Sequence, residues 1–393
     1  GNMTKKLIAY IEDKFQNSKG DFYSVFIDIC IRFCNDYMYI SMITQHSWMF
    51  VASYENLRNY ILNNTTMYSL IHLGARAFEE ISGEVVQTTT FIIRRILNKD
   101  YRGIYYKLDD VKNAKEKELQ FLSNANRKYI IKTSHYEVIP KKPIAYWISE
   151  KLLKAFSNRI DIYDIVDDIA SGNKTANNQK YLRYIWEIEK NKLNRKWILY
   201  AKGGEYRKWY GNNDNIIDWS NEARYFYKTN KTSNLLNERL WFRKGITYTD
   251  LTSKDFSGRF LPDNALFDMS GPSIIVEDEV KRNYLLGFYN SIVNSNFLKL
   301  LNSSFHIKLN DLIRVPIIYK KEKDILFKIN NIVNNNINMS KTDWDSFETS
   351  WDFKKHPLLT HKGNSNTIEQ AFNNWAAFAE KQFNQLKDNE EEL

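Results

Sequence analysis

The sequence predicts an α/β segment, then a mixed α+β region, then a helical C-terminal region. Three observations carry this. Amphipathic helical stripes alternate with short β-rich runs over residues 1–100, β-rich runs and helices mix over 121–320, and helical periodicity dominates 321–393. Residues 101–120, the end of a polar stretch that begins at 97, are expected to be a linker between the first two regions.

Taken in order, residues 4–17 place Leu7, Ile8, Ile11 and Phe15 on one stripe, and 21–33 place Phe22, Phe26, Ile29 and Cys30 on another; both predict amphipathic helices. MYISMITQHSWMF (38–50) is a nearly continuous apolar run ending in polar residues, the pattern of a buried parallel strand that delivers a loop to a site. A helix around Leu57, Tyr60 and Ile61 leads to a second strand, TMYSLIHLG (66–74), the loop ARAFEEISGE, and a third strand in the β-branched VVQTTTFIIRRI (85–96). Helix, strand, helix, strand, strand is the order of the second half of an open α/β sheet, with no Gly-rich nucleotide turn ahead of it. Half a sheet exposes an apolar edge. At the other end Ile368, Phe372, Trp375, Ala379, Phe383 and Leu386 form a stripe that runs into NEEEL without a stop signal. Both features lead us to expect a segment of a longer protein.

Between these ends, KWILYA, ARYFYK, GITYTD, PSIIV and LIRVPII read as strands, with helices around 145–157 and 281–302. After Tyr319, the spacing of Ile325, Ile329, Ile332, Val333 and Ile337 predicts a helix, and Ser340 with Asp343 has the spacing of a new helix start.

Composition excludes several classes. No run of about 18 apolar residues exists, so no transmembrane helix is expected. Cys30 and Cys34 lie at helical spacing among apolar residues and read as structural, and the six histidines (46, 72, 135, 306, 356, 361) show no zinc spacing, so no metal site is expected. GxxxxGK[ST] and GxSxG are both missing, which removes the simplest NTPase and hydrolase assignments. The formal charge is +9, from 56 Lys+Arg against 47 Asp+Glu, and it is unevenly spread. Residues 180–210 hold nine basic residues against three acidic ones, interleaved with eight Tyr and Trp. Such a mixture suits phosphate neutralisation with stacking. A strand-rich core with a basic outer face gives the same composition, and composition alone leaves both open.

The words SMITQHSWMF, LGARAFEEISGEVVQTTTF, KGGEYRKWYGN and DWDSFETSWDFKKHPLL match a known family. In these words, and in their order along the chain, the sequence resembles the PglX-type adenine-specific DNA methyltransferases of BREX phage-defence systems, relatives of the type IIG restriction-modification enzymes. The resemblance implies the C-terminal half of a Rossmann-like methyltransferase sheet, followed by an α+β target-recognition domain and a helical region. It also implies methyl transfer from S-adenosylmethionine to adenine N6 by the complete enzyme. The family's cofactor loop and Asn-Pro-Pro-Tyr tetrapeptide lie ahead of the segment that opens here as GNMTKKL. No catalytic residue and no binding of the cofactor by this chain alone are therefore expected.

Residue by residue, Phe78 matches the place where related enzymes set an aromatic against the flipped base, and Asp21 and Phe22 resemble the motif beside the cofactor's adenine. Gln45, His46 and Ser47 end a strand on its carboxyl side, where ligands of open sheets gather, and are expected to line the base pocket. In the recognition domain, SGNKTANNQKYLRYIWE keeps Ser171, Gly172, Asn178, Leu182, Arg183 and Glu187 of the family pattern, with NKTA resembling an insertion. Expected DNA contacts are Arg183, then Lys202, Gly203, Gly204, Arg207, Lys208 and Asn212, and more weakly Arg243, Lys244, Thr247 and Tyr248. The glycine pair would let the backbone approach another surface. Asn302, Ser303, Ser304 and His306 fall where the family closes this domain and read as structural. Trp344, Phe347, Trp351 and Phe353 are expected to pack helices together, with Lys354, Lys355 and His356 at a helix end. Double-stranded DNA is the expected partner in a cytoplasmic protein without membrane contact, together with other defence proteins or a missing N-terminal methyltransferase half. The alternative is a non-catalytic module that binds protein partners of a defence complex or acidic phage DNA mimics.

Overall fold

The computed structural model describes residues 3–78, 86–123, 127–302 and 306–393. Most of the ARAFEEISGE loop, with Ser303 and Ser304, lies outside the described residues. The chain is a mixed α/β protein that divides into two compact units, Gly1–Arg159 with Lys299–Ser303, and Ile160–Leu298 with Ser304–Leu393. Among the described residues no helix is long and apolar enough to cross a membrane.

The first unit opens with α1 (Lys5–Lys14), whose Ile11 is buried against Phe15 and Val25. In α2 (Phe22–Phe33), Asp21 and Ser24 form a reciprocal capping box that satisfies the first free N–H groups. The core face of α2 carries Val25, Ile27, Asp28 and Ile31. Phe22 and Phe26, expected to point inward, are exposed, with their rings 5.6 Å apart. Two apolar stripes compete on this helix, and the β-branched one is buried while Arg32 neutralises the buried Asp28 at 2.6 Å. Cys30 and Cys34 are free thiols packed at the margin of the core.

Strand β1 (Tyr39–Gln45) is followed by α3 (Glu55–Asn64), β2 (Thr66–Gly74), β3 (Thr88–Arg94), β4 (Arg102–Lys107), α4 (Ala114–Leu122), β5 (Lys128–Lys132) and α5 (Glu150–Ser157). The sheet order is β1-β3-β2-β4-β5. β3 is antiparallel to both β1 and β2, β4 is parallel to β2, and β5 is antiparallel to β4. β1 is thus not the parallel-paired, doubly buried strand expected: its partner is antiparallel and its residues alternate between exposed and inward. The expected linker is also part of this sheet. In RGIYYK only Gly103 and Tyr105 are fully buried, and the flanking charges hid that alternation. Trp48, Leu57, Leu70, Phe91, Ile93 and Tyr105 form the core between helices and sheet, where each fully buried side chain contributes about 1.5–3 kcal/mol.

The second unit contains β6 (Asp168–Ala170), α6 (Asn178–Tyr181), β7 (Leu182–Tyr184), β8 (Trp197–Ala201), β9 (Asn215–Asp218), α7 (Asn221–Thr229), β10 (Gly245–Tyr248), β11 (Gly258–Leu261), β12 (Ala265–Phe267) and β13 (Ser273–Ile275). There follow α8 (Glu279–Asn290), α9 (Ile292–Leu301, whose residues from Lys299 on belong to the first unit), α10 (Leu309–Arg314), α11 (Lys323–Trp344), α12 (Pro357–Thr360) and α13 (Ile368–Glu392). Two four-stranded sheets result, β11-β10-β13-β6 and β12-β8-β9-β7.

ARYFYK, expected to be a strand, is the helix α7: Ser220 caps it at the Ala223 N–H, and Ala223 and Tyr227, four apart, fill the core. LIRVPII begins inside α10 for a related reason, since its Leu312 and Arg314 lie on a helical turn capped by Asp311 and Lys308. α11 runs unbroken through Ser340, so the start signal there is overridden by packing: Ser340 is buried, and the Asp343 carboxylate is engaged by Arg207.

Leu70 is fully buried at the centre of β2. Leu70→Ala should cost about 2–5 kcal/mol, measured as a lower denaturation midpoint with the denaturant dependence unchanged.

Candidate functional site

In the first unit, β1, β2 and β4 share a direction, so their carboxyl ends lie at one edge: Gln45 and Gly74 flank Thr88 from opposite sides, and His72 pairs with Lys107. The edge gathers His46 and Ser47 after β1, His72 and Gly74 in the last turn of β2, and Lys107 with Asp109 at the end of β4. His46 Nδ1 lies 2.7 Å from His72 Nε2. His72 Nδ1 faces Asp109 Oδ2 at 3.9 Å, and Lys107 Nζ donates to Asp109 Oδ1 at 2.6 Å. Aromatic rings close the cluster. Phe50 packs against both imidazoles at 5.6 Å, and Trp147 lies nearly parallel to His72 at 6.4 Å.

Burial decides the charge of this cluster. It pushes the His72 imidazolium down to about 4, against the opposing pull of Asp109, and it lowers His46 as well. Both rings are therefore neutral at pH 7. Asp109 comes this close because β2 ends in Gly74 at φ +67, where an added Cβ would lie 2.5 Å from the Asp109 Cα.

Of the residues expected at a base or cofactor pocket, His46 and Ser47 are brought together here, Ser47 by a 2.7 Å hydrogen bond with the Tyr23 hydroxyl of α2. Gln45 is exposed at the end of β1, and Phe78 is exposed four residues past β2. Asp21 caps α2, its Oδ1 accepting the Phe22 N–H, while the Phe22 ring is exposed. Sequence reasoning missed His72, Asp109, Lys107, Phe50 and Trp147. A signal existed for the first: Leu70, His72 and Gly74 alternate onto the buried face of β2, and a histidine facing inward at a strand end is unusual.

In the second unit the 202–212 loop is held by its own fold. The Arg259 guanidinium, almost fully buried, donates to Thr249 Oγ1 at 3.2 Å and to the carbonyls of Arg207, Ser257 and Lys202 at 3.4–3.5 Å. Burial lowers it to about 10, so it remains charged. The surfaces that Gly203 and Gly204 approach belong to the chain itself, the Ser270 carbonyl and the Asn212 side chain. Asn212, expected at base edges, is buried and donates to the Glu205 carbonyl at 2.9 Å. Arg207 pairs with Asp343 at 2.9 Å and lies over the Trp344 ring; Lys208 pairs with Glu390 at 2.7 Å, and the buried Trp209 indole N–H donates to the same carboxylate at 2.7 Å. The loop is thereby pinned to α11 and α13, beside a cleft of about 1010 Å³ lined by Tyr206, Lys341, Lys354, Trp375, Phe378 and Phe383.

The weaker candidates are likewise engaged. Arg243 pairs with Glu277 and Lys244 with Asp263. Thr247 and Tyr248, expected to touch DNA, are strand core, and Thr247 donates to the Gly271 carbonyl at 3.0 Å. They offer a ligand no surface. His306 lies 3.3 Å from Asp250. Trp351, expected to pack helices together, packs instead against the sheet of β7, β8 and β9, with Ile185, Leu193, Trp197 and Ile216, and His356 caps α12.

Within 180–210, Tyr181, Trp197, Tyr200 and Trp209 are core, whereas Tyr184 and Trp186 stand half exposed, stacked at 4.7 Å with an interplanar angle of 3°. Lys180, Lys192, Arg195 and Lys196 are exposed. Arg183, half exposed, donates to the carbonyls of Gln179 and Leu182, which leaves its charge unneutralised.

Known proteins resemble the chain along its whole length, in agreement with the PglX-type resemblance read from its motifs. Residues 1–78 match the Eco57I restriction-modification methylase family. The chain is 34% identical over its full length to the adenine-specific methyltransferase PglX of Lacticaseibacillus casei (strain Zhang), of which it covers 34%. It is 32% identical to the adenine-specific methyltransferase BrxX of Escherichia coli O9:H4 (strain HS), of which it covers 32%. The chain thus spans about a third of the length of these relatives. Its fold is similar to that of the type IIL restriction-modification enzyme MmeI, solved in complex with DNA, at TM-score 0.52 and 11% identity, over 98% of this chain and 53% of that one. It is also similar to DrdV, solved as a DNA complex, at TM-score 0.50 and 9% identity, over 86% and 42% of the two chains.

Two outcomes test the site. Glu390→Ala leaves the buried Trp209 N–H without its acceptor, and should destabilise the protein by about 1–3 kcal/mol in chemical denaturation. For His72 the folded value near 4 lies below the ordinary 6.5. The unfolded chain therefore binds the extra proton first, and stability should fall as pH drops from about 6.5 towards 4. In His72→Gln, denaturation midpoints should show a shallower fall across that window.

Proposed function

We propose that the chain is the DNA-recognition portion of an S-adenosylmethionine-dependent adenine-N6 DNA methyltransferase of a BREX or restriction-modification system. The observation that carries this is its full-length similarity to two adenine-specific methyltransferases. The sheet of the first unit supports it. β1 and β2 run together with β3 reversed between them, as suits the second half of a Rossmann-like methyltransferase sheet with its ligand side at the carboxyl ends. β1 has a second edge that is unpaired among the described strands, and Ile43 of β1 is exposed, as are Phe22 and Phe26 of α2. We assign that edge to the join with the remainder of a longer protein.

Adenine must leave the duplex to be methylated, and the extruded base needs stacking and hydrogen-bond partners. Phe78 supplies an exposed ring, and Gln45, His46 and Ser47 supply polar groups. Their part is to align the base and exclude water, which N6 transfer requires more than a strong base. S-adenosylmethionine, when bound, supplies the methyl group. Of Asp21 and Phe22, the carboxylate already caps α2, so only the Phe22 ring is open to stack on a cofactor. The residues present fit one wall of such a site.

Duplex contact falls to the exposed groups of the 180–210 segment: Lys180, Lys192, Arg195 and Lys196, with Arg183 and Lys202 beside them and Tyr184 and Trp186 as stacking surface. Lys192 lies 3.5 Å from Glu189, an exposed pair that exchanges readily for phosphate, and Lys196, itself exposed, lies 3.4 Å from the largely buried Asp218. Arg207 and Lys208 anchor the loop instead. Each phosphate contact contributes about 0.9 to the logarithmic salt slope, so Arg195→Ala with Lys196→Ala should lower the slope by about 1.8 and weaken all duplexes alike. An unchanged slope would refute the assignment. Competition among duplexes of different sequence should reveal a base preference.

A further inference from the structure

Tyr184 and Trp186 are the most exposed aromatic side chains of the 180–210 segment. Their rings lie on one another at 4.7 Å and 3°, and among the described residues neither meets a further ring or a cation. The pair is nevertheless fixed from below. Ile185, between the two in sequence, is buried with Leu193, Trp197 and Ile216, and its N–H donates to the Asp214 carbonyl at 2.8 Å. The Tyr184 N–H donates to Glu187 Oε2 at 2.7 Å, which closes the turn Ile185–Glu187. Tyr184 also ends β7, where it pairs with Asn215 of β9. Both rings are therefore ordered before any ligand arrives, and a ligand that lies on them pays little for ordering them.

The surroundings name the ligand. Arg183, the residue before Tyr184 on β7, donates to the neutral carbonyls of Gln179 and Leu182 and keeps its charge, and Lys180 and Lys192 are exposed. Positive groups beside flat rings suit a polyanion whose bases can lie on those rings. A fully paired duplex cannot use such a surface, because its grooves present base edges only and each base face is covered by its neighbours. Inserting the pair between base pairs would part a step by two ring thicknesses, and parting a step is unfavourable in itself. A base already outside the helical stack meets neither obstacle. We propose that Tyr184 and Trp186 form a platform on which the second unit stacks an unpaired base of DNA, with Arg183 on an adjoining phosphate. The inference rests on the proposed contact of this segment with DNA and deepens it by naming the form of DNA held most tightly.

The test compares two duplexes of one length and phosphate count, so that their electrostatic share is equal. One is fully paired. In the other, three central thymines face abasic sugars and have no partners. The chain should bind the second more tightly, by about 5- to 150-fold for one stacked base. Tyr184→Leu with Trp186→Leu should abolish the difference and leave the paired duplex bound as before, whereas Trp186→Phe, which keeps a ring, should retain most of it. Arg195→Ala with Lys196→Ala should weaken both duplexes alike. With 5-iodouracil in place of the unpaired thymines, near-ultraviolet light should attach the DNA to Tyr184 or Trp186, located by mass spectrometry of the peptides. Equal affinities overturn the proposal. So does a preference that survives the double substitution, or attachment that misses both rings. The unmodified chain decides through affinity and attachment even if the double variant does not fold. Binding of the paired duplex without a preference removes this inference and leaves the proposed function standing. A preference without measurable binding of the paired duplex removes duplex recognition and leaves the platform, and binding of neither removes both.

Discussion

The direction of β3 constrains the rest of the first unit. Because it runs against both neighbours, β1 and β2 run together, and β4, parallel to β2, ends at the same edge. Three segments far apart in sequence therefore deliver their last residues to one place. Had β2 been reversed over its nine residues, His72 would be displaced by four positions, about 13 Å, from this edge. The 2.7 Å approach of two imidazoles is thus a consequence of strand direction before it is a property of histidine.

Much of this was legible in the sequence where one pattern was unopposed. TMYSLIHLG is the strand Thr66–Gly74 residue for residue, and the stripe through Ile325, Ile329, Val333 and Ile337 lies on one helix. Misreadings arose where two patterns overlapped. ARYFYK carries strand-type aromatics, but Ala223 and Tyr227 also satisfy a helix, and the Ser220 cap decides between them. RGIYYK looked like a linker because its buried positions alternate with charged ones. Among candidate site residues, Gln45, His46 and Ser47 were placed at the end of a strand by its polarity, where His46 and Ser47 make the edge contacts and Gln45 is exposed. His72 and Asp109 were not, because their meeting depends on a pairing between strands that sequence spacing does not encode.

Charge taught a different lesson. Nine basic residues crowd 180–210, but a basic residue is available to an anion only if the fold leaves it exposed rather than tied to another element. Arg207 and Lys208 meet Asp343 and Glu390, which lie well over a hundred positions further along the chain. Arginine also serves here as internal scaffolding. Arg58 donates to the carbonyls of Trp48, Val51 and Lys141, and Arg259 to those of three loop residues. A guanidinium has five donors in a plane and retains its proton when buried, so it can tie loop backbones together where lysine would lose charge. The local excess of positive charge is therefore partly architectural.

The end of β2 gathers these points in three residues. Leu70 fills the core, His72 two residues on enters the buried edge of the same face, and Gly74 two further removes the Cβ that would displace Asp109. The register shifts between His72 and Gly74, and such irregularities re-aim side chains at strand ends. One period-two pattern thus sets strand, core and site together. A β-branched residue at position 74 would favour an extended strand, yet it would be strained at positive φ and would push away the carboxylate that orients the histidine pair. The glycine weakens the strand, and that weakness is the condition for the cluster.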